Sequence, residues 1–339
     1  MLRVGITFDV KSEVAPTAGV PDDFQEEFDS PTTIDAIAEV LRGLGHEVVK
    51  LGDGRDMLVR LLEHPPDLVF NFAEGEGVSR SREARVPAVL EMLGIPYTGS
   101  DPLTMAVTLD KDCAKRLVRS AGIGVPNGCV VEHPEQAMES VKRVGLTFPM
   151  IAKPAWEGSS KGIRSKCVLE NAEDLPHVVS EICGYQHQPV LVEEFVDGDE
   201  LTVGVIGNAA PEIIGIMRVL PNSPTRRFIY SLEVKRDYVQ QVRYECPPQM
   251  PARILRRVEE ASLQVYRVLG CRDVARIDFR VRDGIPYFLE VNPLPGLNPE
   301  SSDLVILAKL AGWTYRQLIE RIVAAALKRH QGLCRNRAS

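Results

Sequence analysis

The stretch ARIDFRVRDGIPYFLEVN, residues 275–292, constrains the fold most. Apolar and polar residues alternate on both sides of Asp283-Gly284, a dipeptide suited to a tight turn between antiparallel strands. Residues i and i+2 share one face of a strand. Arg276 and Asp278 therefore share a face of the first strand, and Glu290 and Asn292 a face of the second. Whether the two faces coincide depends on the loop. A two-residue loop pairs Asp278 with Leu289 and turns Glu290 away. A three-residue loop with glycine in the left-handed position reverses that parity. The odd-length loop is expected, because only it lets the four polar groups act together. Two carboxylates and an amide then converge from strands ~5 Å apart. Crowded, half-buried carboxylates are costly unless a counter-charge joins them. Oxygen-only ligands of this kind suit Mg²⁺, which shares its remaining positions with phosphates and water. A salt bridge from Arg276 to Asp278 or Glu290 is the alternative reading of the same residues.

The rest of the chain sets the frame. Its 339 residues suffice for two or three domains, and 44% are apolar. The net charge of −7, from 40 basic and 47 acidic residues, argues against a nucleic-acid partner. The basic C-terminal KRHQGLCRNRAS reads as a solvated tail. Seven cysteines without a C-x-x-C pair suit a reducing compartment rather than a disulfide framework or a zinc site. MLRVGITFDV reads as a strand and not a secretory leader. No stretch approaches the ~18 uncharged apolar residues of a membrane span. A soluble, cytoplasmic protein with no membrane partner is expected.

Strand and helix alternate from Leu2 to about residue 100, with Ser30-Pro31 as a helix start, which implies a parallel, doubly wound α/β domain. Leu109–Ala121 reads as one amphipathic helix. Beyond Pro126 the pattern becomes α+β, and residues 211–244 read as β-rich runs between charged loops. The expected units are 1–106, 107–192 and 193–339.

Two further stretches carry candidate chemistry. KPAWEGSSKGI, Lys153 to Ile163, ends a strand on lysine and continues into a Gly/Ser loop able to approach phosphate oxygens. It is not a G-x-x-x-x-G-K-[ST] loop. Lys111 is a second candidate cation. In LVEEFVDGDELTV, Leu191 to Val203, Glu193 and Glu200 flank an Asp197-Gly198 turn. A freed strand edge there can meet a base, and a carboxylate can hold a ribose diol.

Together, IPYTGSD, LDKDCAK, KPAWEGSSKGI, LVEEFVDGDELTV, ARIDF and LEVNPLPGLNPESS resemble the D-alanine–D-alanine ligase family of the ATP-grasp superfamily, over about residues 86–320. The resemblance implies an ATP-grasp fold behind an N-terminal α/β domain. It implies an ATP-dependent, ADP-forming ligase that joins a carboxylate to an amine through an acyl phosphate, in cell-wall precursor synthesis. Carried over, Lys111 and Lys153 contact ATP phosphates. Glu193, with the backbone after it through Glu194 and Val196, holds adenine, and Glu200 holds the ribose. Asp278, Glu290 and Asn292 bind two Mg²⁺, places that Mn²⁺ also suits. Arg276 and the Gly296 backbone stabilise the oxyanion. Ser301 anchors the second substrate, Ser159 sits in the loop that orders the first, and Lys235 belongs to a mobile loop that closes over the phosphates. The family also implies a homodimer.

The first-substrate side departs from the family. A glycine-rich Glu-x-x-x-Ser segment is expected where residues 9–30 read DVKSEVAPTAGVPDDFQEEFDS. A His-Gly…Gly-Glu-Asp-Gly segment is replaced by NFAEGEGVSRSREARVPAVLEMLG, and the tyrosine after the loop lysine is Arg236. Glu26, Glu27, Glu74, Arg80, Arg82 and Arg236 are the candidates for a more charged pocket, with plain surface charges as the alternative. D-alanine–D-alanine ligation, ligation of a different and more charged first amino acid, and a non-catalytic ATP-binding regulatory protein all remain open. The intact Arg276 set argues against the last. No biotinyl Met-Lys-Met segment supports a carboxylase.

Overall fold

The computed structural model describes residues 1–11 and 21–331. Residues 12–20, inside the divergent N-terminal segment, and the tail from 332 onward lie outside the described residues.

The described residues build three sheets. Strands β1 (Arg3–Phe8), β2 (Glu47–Gly52) and β3 (Leu68–Phe72) form a parallel sheet in the order β2-β1-β3. Parallel neighbours need a crossover, and helices Pro31–Gly43 and Gly54–Glu63 supply it. The first helix starts as its sequence suggests: the Ser30 side chain accepts the Thr33 N–H, and Pro31 opens the first turn. IPYTGSD contributes a single bridge, Val69 to Tyr97, not a strand.

The helix expected over Leu109–Ala121 begins later, at Lys111, and a separate helix, Pro102–Leu109, precedes it. Asp110 divides them. Its extended backbone ends the first helix, and its side chain caps the second by accepting the Cys113 N–H. A four-stranded antiparallel sheet follows, made of β4 (Gly128–Val131), β5 (Met150–Pro154), β6 (Val168–Leu169) and β7 (Val190–Glu194), in the order β4-β7-β5-β6. Residue 106 lies inside Pro102–Leu109, and residue 192 inside β7.

The third sheet is antiparallel, in the order β10-β9-β8-β11-β12: β8 (Asp199–Ile206), β9 (Glu212–Pro221), β10 (Val242–Glu245), β11 (Val274–Arg282) and β12 (Ile285–Asn292). Leu201, Val203, Ile277, Phe279 and Val281 turn one face into a core shared with helices Ala252–Val268 and Lys111–Ser120. The alternate residues Arg276, Asp278 and Arg280 face the other way, beside Thr202 and Glu200 of β8. Between β9 and β10 the chain forms two short helices, Leu232–Arg236 and Tyr238–Gln241, where sequence alone suggested β-rich runs.

The hairpin corrects the loop expectation. Arg282 pairs with Ile285, so the loop is the two-residue Asp283-Gly284, not an odd-length one. Both residues have positive φ, 54° and 74°, as a type I′ turn requires, and its twist matches that of the strands. Parity is reversed elsewhere. Phe279 pairs with Phe288 but Asp278 pairs with Glu290, which leaves Leu289 as a bulge. The extra residue brings Glu290 opposite Asp278 and Asn292 opposite Arg276. Phe288 and Val291, an odd three residues apart, consequently both reach the core.

The turn gives a stability test. Gly284→Val places a branched side chain at φ 74°, which costs about 1–2 kcal/mol. Asp283→Asn is close to neutral, because asparagine tolerates the left-handed region. Denaturant unfolding midpoints check both.

Candidate active site

The polar face of β11 looks into a cavity closed from the opposite side by β5 and β7. Its wall includes Lys153, Glu193, Glu194, Val196, Glu200, Lys235, Asp278 and Glu290. A smaller cavity on the far side of Glu290 is lined by Lys111, Asn292, Glu83, Glu157 and Gly158. Most candidates from different parts of the chain thus meet at one place.

At its centre Arg276, 5% exposed, holds three carboxylates. Its guanidinium is 3.0 Å from Asp278, 3.6 Å from Glu290 and 3.5 Å from Asp303. Thr202 donates to Asp278 at 2.9 Å, and Lys111 lies 3.3 Å from Glu290. The salt-bridge alternative is therefore present in the structure. It does not exclude a metal. Burial raises the Asp278 carboxyl to about 6 despite Arg276, and Glu290 pushes it the same way. At Glu290, burial is outweighed by Lys111, Arg276, Lys153 and Lys235, which hold it at about 2. A hard cation would relieve this crowding. Asn292 completes an oxygen-only set, with its carbonyl oxygen already accepting the Leu294 N–H at 2.9 Å. Among the described residues no group of three His, Cys, Asp or Glu side chains forms a metal cage. Two carboxylates and an amide match a cation that keeps places for phosphate and water.

Glu193 is 1% exposed and lies between two lysines. Lys153 of β5 and Lys115 both pair with it, the latter at 2.8 Å. Burial pulls the Lys115 ammonium down to about 8 even with Glu193 beside it. Lys115 escaped the sequence reading, yet it stands one helical turn after Lys111 in LDKDCAK, on the same helix face. Arg280 escaped it too. It extends the Arg276, Asp278 alternation by one step, pairs with Glu200 at 2.7 Å and bonds the Val196 carbonyl at 3.3 Å.

The Gly/Ser loop has two consecutive serines in the left-handed region, Ser159 (φ 48°) and Ser160 (φ 58°). Such backbone persists where surroundings hold it, and functional loops concentrate it. Ser160, not Ser159, lines the cavity, and its hydroxyl donates to the Tyr230 carbonyl. Gly296 packs against Ser302, whose hydroxyl would lie 2.8 Å from a β-carbon there. Ser301 is exposed, its N–H donating to Asn298, and it stands outside the cavity wall.

The divergent residues are engaged in several ways. Arg82, 2% exposed, joins Glu27 (2.5 Å) to Glu157 (3.1 Å), and Lys161 also reaches Glu157 (3.1 Å). The Gly158 N–H donates to Glu27. Arg236 reaches Asp22 and Glu26, both at 2.7 Å, and ties the loop to the N-terminal unit. Arg80 is an exposed partner of Asp110. Glu74 stands beside Glu83, and burial raises both carboxyls, Glu83 to about 7; Glu83 and Glu27 push Glu74 further up, and Glu27 does the same to Glu83.

Three comparisons bear on this arrangement. Residues 117–324 match the family described as D-ala D-ala ligase C-terminus. Over 290 residues the chain is 35% identical to the D-alanine–D-alanine ligase of Aquifex aeolicus, covering 85% of this chain and 92% of that protein. It is 33% identical over 309 residues to the uncharacterized protein y4sG of Sinorhizobium fredii, covering 88% of each. The crystal structure of D-alanine–D-alanine ligase from Bacillus anthracis complexed with ATP superposes with a TM-score of 0.73 at 23% identity, covering 98% of this chain and 99% of that one. At that identity the likeness is one of fold.

The acid-rich side predicts an unusual pH profile. Asp9 (to about 6), Asp29, Glu74 and Glu83 all have folded pKa values raised, with burial the largest cause. Between the ordinary carboxylate range and pH about 7, the folded state then binds more protons than the unfolded one, so stability falls as pH rises. Glu290 acts in the opposite sense only below its ordinary value, and His46 and His330, lowered by burial, oppose the trend near and below their ordinary value of 6.5 but are outnumbered by the raised carboxyls. The ligand-free protein should unfold at a higher denaturant concentration at pH about 5 than at pH about 8. Glu83→Gln should raise the pH 8 midpoint and flatten the slope.

Proposed function

The chain belongs to the D-alanine–D-alanine ligase family of the ATP-grasp superfamily, and on that footing we propose that it is an ATP-dependent, ADP-forming ligase joining a carboxylate to an amine. The observation that carries the reading is the convergence of Asp278, Glu290, Lys111, Lys153 and Lys235 on two cavities that share Glu290, with the buried Arg276 paired to Asp278 and Glu290.

Phosphoryl transfer asks for positioning and charge neutralisation more than for covalent help. Lys111, Lys153 and Lys235 are paired with Glu290, Glu193 and Asp303 respectively. Phosphates entering the cavity would share or replace these partners. Glu193, Glu194 and Val196 line the end suited to adenine, and Glu200 the place of the ribose diol. Mg²⁺ would be held by Asp278, Glu290 and Asn292, and when bound it neutralises charge on the transferring phosphoryl group. The first substrate's carboxylate attacks the γ-phosphorus and ADP leaves. The amine of the second substrate then attacks the acyl phosphate, and the C–O bond to phosphate breaks. Arg276, with the Gly296 N–H, meets the oxyanion that forms between these events. Ser301 is proposed for the second substrate's carboxylate and Ser159 for ordering the first, both on the family's pattern. A homodimer and a cytoplasmic location are proposed on the same ground. Among the described residues no helix is long and apolar enough to cross a membrane.

D-alanine is the first substrate to try at both positions. A different, charged amino acid at the first position is the second reading. The buried Glu27–Arg82–Glu157 bridge and the Glu74–Glu83 pair favour it.

Phosphate release from ATP, measured across a panel of D- and L-amino acids, tests the proposal. Release should rise with one amino acid or pair and require Mg²⁺ or Mn²⁺. No rise with any amino acid would leave only nucleotide binding. Arg276→Ala should lower kcat by about 10²–10³-fold, the cost of one oxyanion donor.

A further inference from the structure

We propose that Asp303 is a positioning residue that clamps Lys235 of the loop against Arg276, so that loop closure and oxyanion geometry are set together. Asp303 opens the helix Asp303–Leu310 and is 8% exposed. One of its oxygens, Oδ2, lies 3.5 Å from Arg276 Nη1 and 3.6 Å from Lys235 Nζ. The two cations come from different elements, β11 and the short helix Leu232–Arg236, and this carboxylate lies between them. Its other oxygen, Oδ1, accepts the Tyr230 hydroxyl at 3.0 Å, and Tyr230 in turn lies 2.6 Å from the Tyr244 hydroxyl. Lys235 Nζ sits over the Tyr230 ring, 5.1 Å from its centre. The carboxylate is thus oriented on one oxygen and spends the other on the two cations.

Electrostatics explains why the contact matters. Asp278 and Glu290 face Arg276 from its own hairpin and are proposed to hold the metal. Among the described residues Asp303 is the carboxylate that faces Lys235 within ion-pair distance. Making it neutral leaves a buried arginine and a lysine side by side, and like charges in a poorly solvated site repel. Lys235 stands on a five-residue helix between strands and Arg276 inside a nine-residue sheet strand, so the lysine is the partner that local opening would release. An acid in the first turn of a helix also stabilises the helix itself, and that simpler role affects stability alone.

The clamp rests on the ligase reading for its consequence in turnover but not for its geometry, and two assays separate them. Wild type, Asp303→Asn, Lys235→Met and the double variant are compared. Without substrate, limited trypsin digestion followed by mass spectrometry reads cleavage after Lys235 and Arg236. Asp303→Asn should be cut there about fivefold faster or more, as local opening predicts. In amino-acid-stimulated phosphate release, Asp303→Asn should lower kcat about tenfold with KM for ATP within about twofold. Asp303→Glu should restore part of it. In the double variant, adding Asp303→Asn to Lys235→Met should cost little more, because the two act through one contact. Unchanged loop cleavage in Asp303→Asn, or losses that multiply in the double variant, would overturn the clamp. If wild type releases no phosphate with any amino acid, the ligase reading fails, and trypsin cleavage alone then decides the clamp.

Discussion

One extra residue in one strand decides what this site can be. Because side chains alternate along a strand, the tight Asp283-Gly284 turn by itself would send Asp278 and Glu290 to opposite faces of the sheet. The bulge at Leu289 shifts β12 by one residue past Asp278 and no earlier. Phe279 and Phe288 keep their edge-on contact in the core, 6.2 Å between ring centres, while Glu290 and Asn292 turn to the cavity. Turn and core therefore keep regular geometry, and the irregularity sits beside the chemistry, where bulges are often found.

Around that face the structure places charge where an apolar core would be cheaper. Glu193 between Lys115 and Lys153, and Arg276 among Asp278, Glu290 and Asp303, are buried ions held in their charged forms by their partners, while burial still wins at Lys115 and Asp278. The arrangement makes sense for a site that admits a polyanion. The cations are already in place, paired with carboxylates that phosphates and a divalent cation would replace under the proposed function. Where the sequence diverges from the family, Arg82 carries much of the positive charge set against Glu27, Glu157, Glu83 and Glu74; burial first and neighbouring acids second hold Glu74, Glu83 and Glu157 above the ordinary carboxylate range, while Arg82 and Lys161 hold Glu27 below it.

Much of this was legible in the sequence, for reasons that differ from residue to residue. The hairpin was readable because Asp-Gly between alternating runs has few other uses. The meeting of Asp278 with Glu290 was expected for the wrong reason: a bulge, not an odd loop, supplies the parity. Leu289, apolar next to apolar Phe288, hides a bulge from any reading of alternation. Lys115 and Arg280 follow simple helix and strand spacing from residues already singled out and could have been found. Asp303 could not. Its partners lie 27 and 68 residues away, in a strand and in a loop whose short helices carry no apolar periodicity. Ser301 followed the resemblance, but it stands exposed while Ser302 packs on Gly296.

The central claim is that this face activates a carboxylate as an acyl phosphate before an amine attacks it. Oxygen transfer tests it most directly. An amino acid that stimulates ATP turnover is supplied with both carboxylate oxygens as ¹⁸O, and the released inorganic phosphate is analysed by mass. The account predicts one ¹⁸O in each phosphate and the other in the amide carbonyl of the product. Phosphate released without label would mean that water, not the carboxylate, receives the phosphoryl group, and would contradict it.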